Sequence, residues 1–304
     1  MTNKEKKPTE HRLVVIVGPN ASGKSELAVK IAKKINGEII SADSRQVYKG
    51  MNIGSGKITK KEMAGIPHHL LDVASPRSIF TVTRYRKLAL ADINKIQKSG
   101  KVPILCGGTG FYVQSVIDGI VIPEVKPNWE LRKILEKKSV SELFLMLKKL
   151  DPRRAATIES KNPRRLIRAI EIVKTTKKPV PEIIKQPLPY KILMLGVKKN
   201  EKELKKLIKK RTTRRLKSGM VAETQKLRKS GVSWKKLESF GLEYRATAQF
   251  LQKKISREEM IENINKEDWQ YAKRQIMWFK RDPRIHWIKN QKQAVLLSKK
   301  YLSK

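Results

Sequence analysis

One short segment has the residue types and spacing that bind phosphate groups. It reads Gly18-Pro19-Asn20-Ala21-Ser22-Gly23-Lys24-Ser25 and fits the pattern G-x-x-x-x-G-K-[ST]. Its glycines let the backbone wrap so that successive N–H groups point at phosphate oxygens. Lys24 adds a point charge, and the Ser25 hydroxyl is placed to hold Mg²⁺. We therefore predict a diphosphate or triphosphate site at residues 18–25, called the phosphate loop below; the pattern leaves the reaction open.

Asp43 and Thr109 are the other positions at which chemistry is expected. Asp43 follows the apolar run at residues 38–42, and it could act as a general base, bind a metal ion or cap a helix. Thr109 follows Gly107 and Gly108, which would let a ligand approach the backbone closely, and its alternative role is that of a plain turn residue. The run at 102–106 ends in glycines and lacks the carboxylate expected of a kinase or ATPase.

The elements that must position these residues alternate between strand and helix. Residues 13–17, 38–42 and 102–106 are short apolar runs typical of buried strands, whereas residues 24–34 and 81–98 have helical apolar spacing, with Gly37 expected to stop the first helix. Such alternation predicts an α/β fold with a mostly parallel, doubly wound sheet. Ligands bind such sheets beyond the carboxyl ends of the strands, where Gly18, Asp43 and Gly107 fall.

The chain changes character near residue 121. Residues 121–187 are rich in basic helices, and Asn162 and Pro163 are expected to open one of them as N-cap and first-turn proline. Residues 191–197 resemble one more buried strand, and everything after Glu201 is expected to be helical. The predicted organisation is a disordered tail at 1–11, a core at 12–120 and 188–304, and a helical insertion at 121–187.

Composition limits the class of protein and suggests a partner. The 304 residues carry a formal net charge of +41, which favours a polyanionic partner, although a general lysine bias would explain part of it. A single cysteine, Cys106, rules out an intrachain disulfide and favours a reducing compartment. The charged start is unlike a signal peptide, and no apolar run approaches the roughly 20 residues that span a membrane. We expect a cytoplasmic protein that does not enter the membrane.

Segments spread over residues 12 to 285 resemble the tRNA dimethylallyltransferase family. In chain order they are Gly18-Pro19 with Ser22-Gly23-Lys24-Ser25, Ser41-Ala42-Asp43-Ser44-Arg45-Gln46-Val47-Tyr48, Pro67-His68-His69-Leu70-Leu71-Asp72, Gly107-Gly108-Thr109-Gly110-Phe111-Tyr112, Asn162-Pro163-Arg164-Arg165-Leu166-Ile167-Arg168-Ala169, Gly241-Leu242-Glu243-Tyr244-Arg245, and Tyr271-Ala272-Lys273-Arg274-Gln275 with Trp278-Phe279. Each motif alone is modest, but the ordered set is specific.

The resemblance implies a P-loop NTPase-like core with a helical insertion that grips the tRNA anticodon arm. It implies transfer of a dimethylallyl group from dimethylallyl diphosphate to the exocyclic N6 amine of the adenosine 3′ of the anticodon. Separately from the resemblance, we expect Mg²⁺ as cofactor and a monomeric enzyme. Asp43 would be the general base, Thr109 would lie close to the reacting groups, and Arg211 would help the phosphate loop bind diphosphate. The positions implied to contact tRNA are Asp43, Ser44, Arg45, Gln46, Thr109, Arg164, Arg165, Leu166, Ile167, Arg168, Tyr244, Arg245, Lys273, Arg274 and Gln275.

The chain departs from the family pattern at a few positions. Asn20 stands where the family usually has Thr, Ser25 where it often has Thr, and Met277 where it usually has Thr. Asn162 and Arg164 replace the more usual Asp and Gln, which could shift tRNA preference without changing the reaction. Three alternatives stay open: a P-loop kinase of a nucleoside or small metabolite, a non-enzymatic RNA-binding ATPase, and an isopentenyltransferase that acts on free adenine nucleotide. The long basic insertion argues against the kinase.

Overall fold

The structure is a computed structural model that describes residues 11–121, 125–182 and 184–303, without the side chain of Val121. Of the tail predicted at 1–11, residues 1–10 lie outside these described residues. His11 is described, and its ring packs edge-on against Tyr190 with 5.3 Å between the ring centroids.

Strands and helices alternate through the first part of the chain, and helices predominate later. The strands are β1 (Arg12–Val17), β2 (Gly37–Ser41), β3 (His68–His69), β4 (Val102–Gly107), β5 (Ile120–Val121), β6 (Ile184–Lys185), β7 (Lys191–Val197) and β8 (Ile285–Ile288). The helices are α1 (Lys24–Ile35), α2 (Lys60–Met63), α3 (Val82–Lys98), α4 (Gly110–Ile117), α5 (Trp129–Leu135), α6 (Val140–Leu150), α7 (Pro152–Thr157), α8 (Pro163–Thr176), α9 (Glu201–Lys217), α10 (Met220–Lys229), α11 (Trp234–Ser239), α12 (Leu242–Leu251), α13 (Arg257–Phe279) and α14 (Gln291–Leu302).

The main sheet has six strands in the order β3-β2-β4-β1-β7-β8. All its pairings are parallel, and the central strand β1 sets Val14 opposite Ile104 of β4 and Leu193 of β7. The predicted parallel α/β sheet is therefore confirmed. Because β2, β4 and β1 are neighbours, the phosphate loop, Asp43 and Thr109 follow adjacent strands at one edge of the sheet.

Alternate residues of β1 enter two separate cores, one on each face of the sheet. Leu13, Val15 and Val17 pack with buried residues of α3 and α4. Val14 and Ile16 pack with buried residues of α1 and α14. Side chains of a strand alternate between faces, so a strand apolar at every position is covered on both sides.

Two local expectations were wrong. Residues 285–288 form β8, a short edge strand in which Ile285 pairs with Met194 of β7, so the chain after Glu201 is not entirely helical. Tertiary pairing decides the conformation of so short an apolar run. The first helix ends at Ile35, its C-cap Asn36 adopts the left-handed conformation (φ 51°), and Gly37 already belongs to β2.

The chain divides into two compact units. The smaller spans Gly119–Gln186, and the larger contains the remaining described residues. In the smaller unit α5 to α8 share a core that includes Leu143, Leu147 and Leu166, while β5 and β6 form an antiparallel pair. Asn162 caps α8 by accepting a hydrogen bond from the Arg165 N–H, as predicted. Over the described ranges, no helix is both long and apolar enough to cross a membrane.

Candidate active site

The phosphate loop joins β1 to α1 and is closed by its own hydrogen bonds. Gly23 holds a left-handed conformation (φ 88°) at the N-terminus of α1, and the Ser22 N–H donates to the Pro19 carbonyl oxygen at 3.3 Å. Lys24 Nζ turns back and donates to the same oxygen at 3.1 Å. The helix start and the lysine thus contribute positive charge to one short stretch of backbone.

Lys24 lies among other charged groups. Burial lowers the pKa of Lys24, Cys106 and Asp43 act in the opposite direction, and Arg211 and Arg215 lower it further. Three cations therefore act on one small region. Asp43 offsets the charge of Lys24, while Asp268 pairs with Arg211 and Glu243 contacts Arg215. Closely spaced, poorly solvated positive groups are typical of sites that bind anions.

Asp43 lies in a tight turn that follows β2. Its Oδ1 accepts hydrogen bonds from the backbone N–H groups of Arg45 at 2.8 Å and Gln46 at 3.3 Å. Among the described residues, no hydrogen bond reaches Oδ2. One carboxylate oxygen thus fixes the turn, while the other stays available to accept a proton.

Thr109 connects this turn to the loop after β4. Its Oγ1 accepts a hydrogen bond from the Ser44 N–H at 3.1 Å, and its own N–H donates to the Ala42 carbonyl oxygen at 3.1 Å. Burial and the charge of Asp43 raise the pKa of Tyr271, and the Thr109 side chain acts in the opposite direction. Thr109 therefore orients the backbone beside Asp43, which is more than a plain turn residue does.

The two glycines before Thr109 do not serve the purpose that the sequence suggested. A Cβ on Gly107 would overlap the backbone of Ala42, and one on Gly108 would overlap the Gln275 side chain. Glycine is needed at both positions because the protein's own groups pack there. The space that we expected for a ligand is therefore filled by contacts within the protein.

Gln275 is buried, with 5% of its surface exposed, between the phosphate loop and the loop after β4. Its Oε1 accepts from the Asn20 N–H at 2.8 Å, and its Nε2 donates to the Gly108 carbonyl oxygen at 2.9 Å. This placement does not present the side chain to RNA. We assign Gln275 to the support of the two loops instead.

Arg211 reaches the site from α9 within a buried charged network. Its Nη2 donates to Asp268 Oδ2 at 2.8 Å, and Asn20 Nδ2 donates to Asp268 Oδ1 at 2.9 Å. Glu243 lies 3.9 Å from Arg211 and contacts Arg215 directly. Burial, reinforced by the negative charge of Asp268, raises the pKa of Glu243 to about 7.

Sequence reasoning missed Asp268, Tyr271, Glu243 and Arg215. Asp268, Tyr271 and Gln275 follow one another at helical spacing on α13, so they share one face of that helix. A search for polar residues along this face of α13 would have found Asp268 and Tyr271, but not Glu243 on α12 or Arg215 on α9.

Other positions expected to contact tRNA differ in exposure within the larger unit. Arg45 Nε donates to the Phe240 carbonyl oxygen at 2.8 Å, and Arg245 pairs with Glu267 at 3.1 Å. Lys273 and Arg274 are exposed on α13. Tyr244 is only 2% exposed, and its hydroxyl donates to Glu223, so its side chain does not face a partner. Ser44 and Gln46 lie in the turn that holds Asp43.

In the smaller unit, α8 separates the predicted positions into two groups. Arg164 and Arg165 are exposed, and Arg165 pairs with Glu159 at 3.2 Å. Leu166 and Ile167 belong to the core, and the Arg168 guanidinium contacts Glu171. Arg164 and Arg165 are therefore the exposed members of this set, and Arg168 keeps 31% of its side chain accessible.

A small cleft adjoins the phosphate loop at Ser25. It is lined by Ser25, Ala28, Ile39, Ser41, Gln46, Ile58, His68, Leu71 and Cys106. The described residues contain no cluster of three or more His, Cys, Asp or Glu side chains able to hold a metal ion. His69 pairs with Glu38 at 2.7 Å.

Comparisons with known proteins agree on one family. The family model for IPP transferase matches residues 46–282. The tRNA dimethylallyltransferase of Acetivibrio thermocellus is 39% identical over 284 residues, which cover 91% of each chain. The crystal structure of a tRNA isopentenylpyrophosphate transferase from Bacillus halodurans superposes with a TM-score of 0.72, at 34% identity over 97% of each chain. A eukaryotic dimethylallyltransferase, described as acting on tRNA, gives a TM-score of 0.79 at 25% identity, covering 96% of this chain and 79% of its own. This chain belongs to the IPP transferase family.

Proposed function

We propose that this chain transfers a dimethylallyl group from dimethylallyl diphosphate to the N6 amine of the adenosine 3′ of the anticodon in tRNA, releasing diphosphate. The observation that carries the proposal is the position of Asp43 beside a cationic phosphate loop, at the ends of neighbouring strands. A proton acceptor and an anion site thus lie side by side. The tRNA substrate is supported by the names of the relatives above.

Departure of diphosphate is the first chemical difficulty. As the bond between the allylic carbon and the diphosphate oxygen breaks, negative charge builds on the leaving group. N–H groups of the phosphate loop, Lys24 and Arg211 supply fixed positive charge there, and preorganised charges of this kind are the largest contributors to catalysis in many enzymes. Arg211 Nε supports this role, because it is buried and has no hydrogen-bond partner among the described residues.

Weak nucleophilicity of the adenine amine is the second difficulty. Its lone pair is delocalised into the ring, so it attacks well only if a proton leaves as the new bond forms. Asp43 Oδ2 is the proposed acceptor: the N6–carbon bond forms, the carbon–oxygen bond breaks, and the proton passes to the carboxylate. Thr109 holds the turn that carries Asp43 through the hydrogen bond from the Ser44 N–H.

A Mg²⁺ ion fits the phosphate loop in our proposal. Mg²⁺ commonly binds through one or two protein oxygens together with substrate phosphates and water, so it needs no cluster of carboxylates. Ser25 offers an exposed hydroxyl at the start of α1. When bound, the ion would neutralise charge on the diphosphate.

Exposed cations are the proposed contacts to tRNA phosphates. Arg164 and Arg165 lie on the smaller unit, and Lys273 and Arg274 lie on α13. Their binding energy could be used to orient the adenine, whose removal from the base stack costs a few kcal/mol. We further propose that the enzyme acts as a monomer and in the cytoplasm, where its tRNA substrate is found.

The test compares an anticodon stem-loop with AMP as prenyl acceptor, at one salt concentration and with dimethylallyl diphosphate as donor. We expect a far higher kcat/KM for the stem-loop, with product identified by mass spectrometry of the nucleosides. An equal or higher value for AMP would replace the tRNA assignment with a free-nucleotide isopentenyltransferase. Transfer of phosphate from ATP to a nucleoside, without prenyl transfer, would favour the kinase.

A further inference from the structure

Asp268 touches two separate parts of the proposed diphosphate site. Its Oδ1 accepts from Asn20 Nδ2 in the phosphate loop at 2.9 Å, and its Oδ2 accepts from Arg211 Nη2 at 2.8 Å. The Asp268 carbonyl oxygen also lies 3.3 Å from Asn20 Nδ2. Asp268 is 1% exposed and Asn20 is 7% exposed, so these contacts are shielded from water.

We propose that Asp268 is a positioning residue of the diphosphate site, which holds the phosphate loop and Arg211 at a fixed separation through its two carboxylate oxygens. The inference rests on the proposed function, because it concerns the binding of dimethylallyl diphosphate at that loop. Asp268 itself need not touch the substrate.

Helix α13, which carries Asp268, also contacts the phosphate loop through a second residue. Gln275, two turns further along the same face of α13, accepts from the Asn20 N–H at 2.8 Å and donates to the Gly108 carbonyl oxygen. Asn20 is therefore held from α13 through both its side chain and its backbone. A single helix thereby sets the positions of the phosphate loop, the loop before Thr109 and, through Asp268, the guanidinium of Arg211.

Positioning of this kind benefits binding because a long side chain otherwise loses rotamer freedom when the ligand arrives. Asp268 occupies one donor of Arg211 and leaves Nε, which is buried and has no partner among the described residues. Arg211 can therefore be held from one side while it offers another N–H to a phosphate oxygen.

A charge effect and a positioning effect of Asp268 predict opposite changes in anion affinity when its carboxylate is removed. A binding measurement can therefore distinguish the two. Removal of a buried carboxylate near an anion site should, by charge alone, tighten binding of the anion. If Asp268 acts by position, its removal should weaken binding although the site becomes more positive.

The experiment measures binding of inorganic pyrophosphate and of dimethylallyl diphosphate to the full-length chain by titration calorimetry, beside kcat and KM. We expect Asp268→Asn to raise both dissociation constants roughly tenfold, the usual scale for a lost hydrogen bond to a charged group. KM for dimethylallyl diphosphate should rise more than kcat falls. Asp268→Glu, which keeps the charge, should recover part of the loss.

Glu38→Gln is the matched control, because Glu38 is a buried carboxylate that pairs with Lys101 at 2.7 Å and His69 at 2.7 Å rather than with Asn20 or Arg211. It should leave pyrophosphate binding unchanged. Asn20→Ala removes the other partner of the Asn20–Asp268 hydrogen bond and should also weaken binding. If thermal melts show that Asp268→Asn does not fold, Asn20→Ala alone tests the proposal. Its effect should not add to that of Asp268→Asn in the double variant.

Two failures are distinguishable. If the unmodified chain neither binds nor uses dimethylallyl diphosphate, the proposed function is wrong. If it does so, while Asp268→Asn or Asn20→Ala binds pyrophosphate as well as or better than the unmodified chain, the positioning role is overturned and the proposed function stands.

Discussion

The guanidinium of Arg168 contacts the carboxylate of Glu171 on α8, and Glu171 is fully buried. Arg132 donates to the same carboxylate at 2.7 Å, and Arg168 Nη2 donates to the Val125 carbonyl oxygen at 2.9 Å. Arg168 is therefore tied to a buried carboxylate, although 31% of its own side chain is exposed. Arg164, one turn earlier on the same helix, is exposed.

Arg168→Glu should destabilise the chain. Two carboxylates would then lie side by side, and the buried Glu171 would lose one of its partners, which costs about 1–3 kcal/mol. Chemical denaturation followed by circular dichroism measures this. A free energy of unfolding equal to that of the unmodified chain would show that the pair with Arg132 suffices.

Arg164→Glu should leave stability unchanged and weaken tRNA binding. The expected signature is a log–log salt dependence of the tRNA association constant that becomes shallower by about 0.7–0.9 for one lost phosphate contact. Filter binding over a range of salt concentrations gives the slope. An unaltered slope in this folded variant would remove Arg164 from the tRNA surface.

Asp43→Asn should abolish most turnover while tRNA binding persists. Asparagine keeps an Oδ1 that can accept from the Arg45 and Gln46 N–H groups, so the turn should survive, but it cannot take a proton. Loss of a general base typically costs about 10²–10⁴ in rate. Single-turnover transfer to an anticodon stem-loop measures it, and near-full activity would exclude Asp43 as the base.

Lys24→Ala should weaken binding of dimethylallyl diphosphate and slow the release of diphosphate. Burial lowers the pKa of Lys24, which indicates a cation that is poorly solvated and depends on an anionic partner. Lys33→Ala, on the exposed side of α1, is the matched control for loss of one positive charge. Equal effects of the two substitutions on KM would argue against a specific contact from Lys24.

Cys106 should resist alkylation in the folded chain. Burial raises the pKa of its thiol to about 11, so the thiolate that reacts is scarce at pH 8. The unfolded thiol ionises near its ordinary pKa, so this group lowers stability as the pH rises from about 9 towards 11. Iodoacetamide labelling followed by mass spectrometry, with and without denaturant, checks the first point. Cys106→Ala should remove part of the alkaline loss of stability.

Local sequence signals predicted much of the fold because their causes are local. The Asn162 cap and strand β7 both agree with the structure. The phosphate loop lies between a strand and a helix, as its pattern requires. In each case the decisive contacts are made within a few residues or follow from burial of an apolar run.

Contacts between distant residues were not predictable in the same way. Arg211 meets Asp268 on another helix, and no spacing within either helix reveals the partner. Arg168 appears in the sequence as one of several basic residues on α8, and only the fold shows that it faces Glu171. Strand β8 was missed because its conformation depends on β7. The candidate site was therefore predictable in its loops and not in the network behind them.

The register of β1 has a consequence for the order of folding during synthesis. Val14 pairs with Ile104 on one side and with Leu193 on the other, so one edge of the central strand stays open until the ribosome has delivered β7. The whole smaller unit, Gly119–Gln186, is made in that interval and has its own core. Its folding sets Ile120 opposite Lys185, which brings the ends of the insertion together. When β7 is synthesised, the ends of the insertion are then already close together, so pairing β7 with β1 costs less conformational entropy. We expect the unpaired edge of β1 to be exposed for a shorter time as a result.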